Sequence, residues 1–216
     1  IPYGVNLIFS EIDRIAPDEN KVYLKEGTVL GYDYLIIATG SRTVPEETPG
    51  LKGELWHKRI FDFYNIEGAL ALQDFFKRCE GGNLVVNIAE LPFKCPVAPL
   101  EFVMYADAFF TKRGMRNKVN ISYVTPMSGA FTKPRASKVL GGMLEEKNIH
   151  IVPDFYISEV DNAKKTIKDY GGREVPFDCL VTIPVHMGSE AIIRSGLGDD
   201  LGFVPTDPYT LRSKQF

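Results

Sequence analysis

The sequence predicts a doubly wound α/β fold, in which parallel strands alternate with helices. Three observations lead to this prediction. Apolar, β-branched runs within residues 84–88 and 119–125 have the composition of buried parallel strands. A predicted helix follows each of these runs, and after the first run the apolar residues fall on one helical face. Turn-rich segments lie on both sides of the alternating region, and they predict a β-meander and an attached β-ribbon.

Short strands joined by turns make up the predicted N-terminal part of the chain. Residues 5–15 and 21–24 alternate as strands do, with the turn sequence PDEN between them. Residues 34–37 (YLII) predict a buried strand that ends at a run of small residues, Ala38, Thr39, Gly40 and Ser41. Because small residues let a ligand approach the backbone closely, this turn is a candidate binding segment; a tight loop without a ligand explains the same pattern.

A linker and a helix precede the central alternation. Residues 43–53 are rich in proline and glycine, which predicts a domain boundary. Asn65 is suited to cap a helix over residues 66–79, and Gly81 is suited to end it. The remaining predicted elements are a helix over residues 135–147 and strands over 149–152, 155–160, 166–168 and 177–183.

The candidate catalytic residue is Cys95, in a strand–loop–helix segment over residues 82–113. Pro96 and Pro99 fit the start of a helix, so the cysteine is expected at a helix N-terminus. This loop also follows the carboxyl end of a predicted parallel strand, the edge where open α/β sheets bind ligands. The helix N–H groups and the adjacent Lys94 would stabilise a thiolate. The alternative is a small buried apolar residue with a structural role.

Composition and residue spacing exclude several kinds of function. The net charge is 25 minus 28, or −3, and no basic cluster offers a surface for nucleic acid. No apolar run approaches the length of a membrane span. The three cysteines are widely spaced, without CxxC, and the three histidines are scattered, so neither a disulfide framework nor a metal site is expected. Cys79, in a helix, and Cys179, in a strand, are expected to be structural.

Two motifs resemble those of a known family, the two-dinucleotide-fold flavoproteins related to the pyridine nucleotide-disulfide oxidoreductases. Residues 32–41 (YDYLIIATGS) resemble the segment that ends the first FAD-binding portion, where the ATG turn lies against the flavin nucleotide. Residues 94–102 (KCPVAPLEF) are similar to the redox cysteine segment of the sulfide:quinone oxidoreductase and flavocytochrome c sulfide dehydrogenase branch.

The resemblance implies a Rossmann-like central domain that is inserted into a truncated FAD-binding domain. The tail of the first FAD-domain portion would cover residues 1–47, the central NAD(P)-binding-like domain 48–184, and the return segment toward the FAD domain 185–216. The GxGxxG fingerprint for FAD does not occur in these residues, so the chain resembles an internal fragment. We therefore expect that the fragment alone holds little FAD and is inactive.

The resemblance also implies the chemistry. Cys95 would take sulfur from sulfide or a related substrate as a persulfide, and two electrons would pass to FAD and then to quinone. The ATG turn at Ala38, Thr39, Gly40 and Ser41 would contact the FAD. The second redox cysteine is expected beyond Phe216. The expected location is the cytoplasm or the periphery of the cytoplasmic membrane, and a homo-oligomer is left open.

The loop after residues 84–88 departs from the nicotinamide-binding pattern. A pyrophosphate site needs glycines there, because the backbone must approach the phosphates, but this sequence has Ala89, Glu90 and Leu91. The sequence therefore predicts that NADH and NADPH do not bind, which argues against the alternative of a type II NADH dehydrogenase-like flavoenzyme. The other alternative is a non-catalytic α/β binding or interaction domain.

Overall fold

The computed structural model describes residues 3–216, which fold as two compact units. One unit combines the chain up to Arg42 with Met187–Phe216, and the other is Thr43–His186. The second unit is therefore inserted, along the chain, between the two parts of the first. Within residues 3–216, no helix is both long enough and apolar enough to cross a membrane.

The regular elements are thirteen strands and four helices within the described residues. In chain order they are β1 Ile12–Ala16, β2 Lys21–Leu24, β3 Val29–Gly31, β4 Ser41–Thr43, β5 Ile60–Phe61, α1 Ile66–Arg78, β6 Gly82–Ile88, α2 Ala98–Lys112, β7 Val119–Val124, α3 Pro134–Glu146, β8 Ile149–Val152, β9 Ile157–Asp161, β10 Thr166–Asp169, β11 Glu174–Pro176, β12 Cys179–Ile183, β13 His186–Gly188 and α4 Glu190–Arg194. Strands β4 and β13 pair with each other.

A five-stranded parallel sheet forms the centre of the inserted unit, and it confirms the predicted fold class. The strand order is β5-β12-β6-β7-β8, and every neighbouring pair is parallel. Helices α1, α2 and α3 provide the crossovers between β5, β6, β7 and β8. Strand β6 has five consecutive buried residues from Leu84 to Ile88, as expected of a parallel strand covered on both faces.

The ends of the helices follow the capping rules. The Asn65 side chain accepts a hydrogen bond from the Gly68 backbone N–H at 2.7 Å, as predicted for the N-cap of α1. Proline stands in the first turn of both α2 and α3, where its missing N–H has no intrahelical partner to lose. The antiparallel ribbon β9-β10-β11 follows the alternating region, also as predicted.

The other unit contains the antiparallel meander β1-β2-β3. A small core forms around Ile15, Val22 and Leu24, to which Ile192 and Leu197 from the C-terminal part of the unit contribute. The Ile15 backbone N–H donates to the Ser195 hydroxyl at 2.8 Å. The two parts of this unit, which are distant in sequence, are therefore held together by packing and by hydrogen bonds.

The prediction of a buried strand at residues 34–37 is wrong. These residues form no strand, and the exposed fractions of Tyr34 and Ile36 are 94% and 91%. A strand needs a neighbour to take its backbone hydrogen bonds, and within residues 3–216 no segment pairs with this one. The predicted strand at residues 5–15 is shortened for the same reason, since pairing begins only at Ile12.

Candidate functional site

Cys95 lies in the loop that leads from β6 into α2, at the carboxyl edge of the parallel sheet. Its side chain is exposed, and its carbonyl accepts a hydrogen bond from the backbone N–H of Ala98, the first residue of α2, at 3.0 Å. The backbone of Cys95 is left-handed, with φ of 56°. A residue other than glycine in this region costs about 1–3 kcal/mol, so surrounding contacts must hold the loop in place.

Tyr64 contacts the cysteine loop from the turn that follows β5. Its hydroxyl donates a hydrogen bond of 2.5 Å to the carbonyl of Lys94, the residue before Cys95. Burial raises the pKa of Tyr64 to about 12, and the electrostatic interaction with nearby Cys95 adds to the rise. The Tyr64 hydroxyl therefore keeps its proton, and stays a hydrogen-bond donor, through the physiological pH range.

The turn that holds Tyr64 is fixed by buried Asp62. One Asp62 carboxylate oxygen accepts hydrogen bonds from the Tyr64 backbone N–H at 3.0 Å and from the Asn65 side-chain amide at 2.7 Å. The ring of Phe63, which lies between Asp62 and Tyr64 in sequence, stacks on Phe102 of α2. The ring centroids are 5.0 Å apart, and the angle between the ring planes is 9°. Hydrogen bonds and ring stacking thus join the turn after β5 to the helix that follows Cys95.

His186 lies on the other side of Tyr64 and is buried. The two rings meet edge to face, with centroids 5.0 Å apart. His186 Nδ1 lies 2.9 Å from the Pro184 carbonyl, which makes Nδ1 the protonated nitrogen, and buried Nε2 has no hydrogen-bond partner within the described residues. Burial lowers the pKa of His186, the Pro184 carbonyl opposes this, and the charge of Lys94 lowers it further. The imidazole is therefore neutral at pH 7.

The other two cysteines are far from Cys95. Cys79 follows the end of α1, and Cys179 is the first residue of β12, so both lie at the amino ends of the sheet strands. The seven residues of β6 span about 23 Å between the two edges of the sheet. Burial raises the pKa of Cys179 well above its ordinary value, and the neighbouring Cys79 adds to the rise. Neither thiol is placed to form a disulfide with Cys95.

A cavity of about 270 Å³ lies at the carboxyl edge of the sheet, where the fold would hold a nucleotide. Its walls include Ala89, Glu90 and Leu91 after β6, Pro126 after β7, and Glu47. No glycine lines it, and two carboxylates do. Such a lining offers few open backbone N–H groups to a pyrophosphate and repels its negative charge.

A second cleft, of about 760 Å³, lies within the meander-containing unit and includes most of the candidate cofactor turn. Ala38, Thr39 and Gly40 line it, whereas Ser41 is part of β4 and does not. Gly40 has a φ of 70°, and apart from Gly40 and its two chain neighbours no atom of the described residues lies within 4 Å of the position that a Cβ would take. The backbone at Gly40 is therefore accessible, and a role of this turn in cofactor binding stays a prediction.

The C-terminal part of this unit adds hydroxyl groups to the same cleft. These belong to Ser189, Thr206, Thr210 and Ser213. The Ser189 Oγ is buried and has no hydrogen-bond partner within the described residues. Open backbone and hydroxyl groups suit the phosphate and ribose oxygens of FAD, so the residues present fit part of this cofactor. Sequence reasoning assigned the return segment to this unit but missed the four hydroxyls, because serines and threonines in loops carry no local signal.

Known proteins resemble this chain over its whole length. No family model matches it. The mitochondrial sulfide:quinone oxidoreductase of Mus musculus is 27% identical over 225 residues, which cover 100% of this chain and 49% of the relative. The sulfide-quinone reductase of Aquifex aeolicus (strain VF5) is 25% identical over 202 residues, or 90% of this chain and 46% of the relative. The chain thus spans about half the length of the curated relatives it matches.

A solved structure has a fold similar to that of this chain. The X-ray structure of the sulfide:quinone oxidoreductase from Aquifex aeolicus superposes with a TM-score of 0.73 at 22% identity, over 89% of this chain and 46% of that chain. The chain is therefore similar in sequence, over its whole length, to sulfide:quinone oxidoreductases, and it shares its fold with one of them.

Proposed function

We propose that the protein oxidises sulfide, or a related sulfur species, with Cys95 as the sulfur acceptor and quinone as the final electron acceptor. One observation carries the proposal. In a chain that is similar to sulfide:quinone oxidoreductases, an exposed thiol lies in a constrained turn next to a helix N-terminus, at the edge of the sheet where α/β proteins bind ligands.

The reaction at Cys95 forms one S–S bond. The Cys95 thiol and hydrogen sulfide join as a persulfide (Cys–S–SH), with the loss of two protons and two electrons. FAD supplies the two-electron acceptor when it is bound, and quinone is the oxidant that receives the electrons in the end. The chain keeps the Cys95 side chain accessible while hydrogen bonds to the carbonyls of Lys94 and Cys95 fix the backbone of the turn.

The cleft of the meander-containing unit is the proposed contact for FAD. Ala38, Thr39 and Gly40 would offer open backbone, with Ser41 directly after them, and Ser189 would offer a buried hydroxyl that lacks a partner in the described residues. The cleft volume is in the usual range for cofactor sites. Because a quinone acceptor is lipid-soluble, we also propose peripheral contact with the cytoplasmic membrane.

Replacement of Cys95 tests the proposal. Cys95→Ser in the full-length protein removes the sulfur acceptor but none of the residues that line the FAD cleft. We expect sulfide-dependent quinone reduction to be lost while FAD stays bound. Cys79→Ser is the matched control and should keep its turnover, since Cys79 lies at the opposite edge of the sheet. Retained turnover in Cys95→Ser would exclude this residue as the sulfur acceptor.

A further inference from the structure

Tyr64 joins the Cys95 loop to the rigid part of the sheet. Its ring is packed against two neighbours, His186 at 5.0 Å and Phe63 at 5.2 Å. Its backbone N–H is bonded to the buried carboxylate of Asp62. Only the end of the side chain reaches the loop, where the hydroxyl donates to the Lys94 carbonyl. A side chain that is held at its base and ring in this way can fix the position of the group it binds.

The loop needs such a contact because its turn is intrinsically unfavourable. Cys95 has a left-handed backbone without being glycine. Two hydrogen bonds flank this residue, one from Tyr64 to the carbonyl before it and one from Ala98 to its own carbonyl. A single hydrogen bond shifts a conformational equilibrium by about 2- to 10-fold. Loss of the Tyr64 bond should therefore measurably lower the population of this turn.

We propose that Tyr64 is a positioning residue for Cys95, and that its hydroxyl holds the Lys94 carbonyl so that Cys95 stays in the turn at the N-terminus of α2. The proposal rests on the function proposed above for Cys95. Tyr64 acts through the backbone of Lys94, so it needs no contact with the sulfur substrate. His186 supports it by packing against the ring.

The sequence separates these residues widely, which is why no motif contains them. Tyr64 follows β5, Cys95 follows β6 and His186 follows β12. These three strands are neighbours in the parallel sheet, in the order β5-β12-β6. All three residues therefore lie at the same carboxyl edge of the sheet, which is the ligand-binding edge of this fold class.

Alkylation of Cys95 as a function of pH tests the proposal in the purified protein. Tyr64→Phe removes only the hydroxyl and keeps the ring that packs on His186. The matched control is Tyr105→Phe, which removes an exposed hydroxyl from α2 itself. The rate at each cysteine is measured with iodoacetamide by mass spectrometry, with Cys79 as the internal reference.

We expect Tyr64→Phe to slow alkylation of Cys95 by about 2- to 10-fold near neutral pH. The rates of variant and parent should converge at high pH, because every exposed thiol is then a thiolate wherever the loop lies. The alkylation rate of Cys79 and the unfolding temperature of Tyr64→Phe should equal those of the control variant Tyr105→Phe. A merely structural role of Tyr64 would not produce this dependence on pH.

Three results would overturn the positioning role. The first is an alkylation rate of Cys95 that Tyr64→Phe leaves unchanged at all pH values. The second is a rate that falls by the same factor at every pH, and the third is an equal change in the alkylation rate of Cys79. Each leaves the proposed function standing, because that function is tested separately by the turnover of Cys95→Ser. Conversely, retained turnover in Cys95→Ser would refute the function without altering the alkylation result.

Discussion

Asp107 and Arg116 form an ion pair that joins the end of α2 to the start of β7. Arg116 Nε lies 2.7 Å from Asp107 Oδ1, and the exposed fractions of the two side chains are 22% and 9%. Lys147 Nζ approaches the other Asp107 oxygen at 2.8 Å. The Arg116 guanidinium also donates to the carbonyls of Val119 and Lys147, both at 2.7 Å. The buried Asp107 carboxylate therefore links the amino-terminal edge of the sheet to the end of α3.

The first prediction concerns the stability contributed by this carboxylate. Asp107→Asn should lower the free energy of unfolding by about 1–3 kcal/mol at pH 7, because it weakens charge-assisted hydrogen bonds to a side chain with little exposure. Asp74→Asn is the control, since the pair of Asp74 with Lys77 is mostly exposed and screened by solvent, so its loss should lower the free energy of unfolding much less. Urea denaturation of both variants measures the difference. Equal effects in the two variants would contradict the prediction.

The same pair predicts a dependence of stability on pH. Burial by itself raises the pKa of Asp107, but hydrogen bonds from Lys147 and Arg116 outweigh burial, and the pKa lies below its ordinary value. A carboxyl with a lowered folded-state pKa stabilises the fold above its unfolded pKa of about 3.9, and loses that contribution as pH falls through and below this value. The stability gap between parent and Asp107→Asn should therefore narrow below about pH 4. A difference in unfolding free energy that stays constant down to pH 2 would contradict this prediction.

The second prediction is the order in which the three thiols react. Cys95 is exposed, Cys79 is partly buried and Cys179 is buried, with its pKa raised by burial. In the native protein near pH 7, iodoacetamide should modify Cys95 first and Cys179 last. Peptide mapping of a time course measures the order. Slow reaction of all three thiols until the protein unfolds would instead identify Cys95 as a packing residue.

The third prediction is that NADH and NADPH do not bind the inserted unit. The cavity at the carboxyl edge of its sheet is lined by Glu47 and Glu90 rather than by glycines, so a pyrophosphate meets negative charge and side chains. Calorimetric titration of the purified protein with each nucleotide should give no measurable heat of binding. A micromolar Kd for either one would revive the interpretation as a type II NADH dehydrogenase-like flavoenzyme.

The parts of the fold that could be predicted from the sequence are those with local signals. Strands β6 and β7 are short apolar runs between turn residues, and Asn65 caps α1 through a contact three residues away. The exposed segment at residues 34–37 has an equally strong strand pattern, yet strand formation requires a partner that the described residues do not provide. Periodicity alone therefore does not decide whether a run of apolar residues is paired.

The surroundings of Cys95 could be predicted only in part. Two prolines and a preceding strand predicted that Cys95 lies just before the start of a helix, and in the structure it lies three residues before Ala98, the first residue of α2. The left-handed turn and the contact of Tyr64 with His186 had no local signal, because those two residues are 122 positions apart in sequence. Their meeting depends on the parallel order of β5 and β12, which a sequence pattern does not encode.

The most direct test of the central claim is to find the sulfur on Cys95. The full-length protein would be treated with sulfide and a quinone for a single turnover, the remaining thiols blocked, and the peptides analysed by mass spectrometry. We predict that the Cys95 peptide gains the mass of one sulfur atom, whereas the Cys79 and Cys179 peptides do not. The added sulfur should be absent when quinone and other oxidants are withheld from reduced protein. Turnover that leaves the Cys95 peptide unmodified, or that places the sulfur on another cysteine instead, would contradict the account.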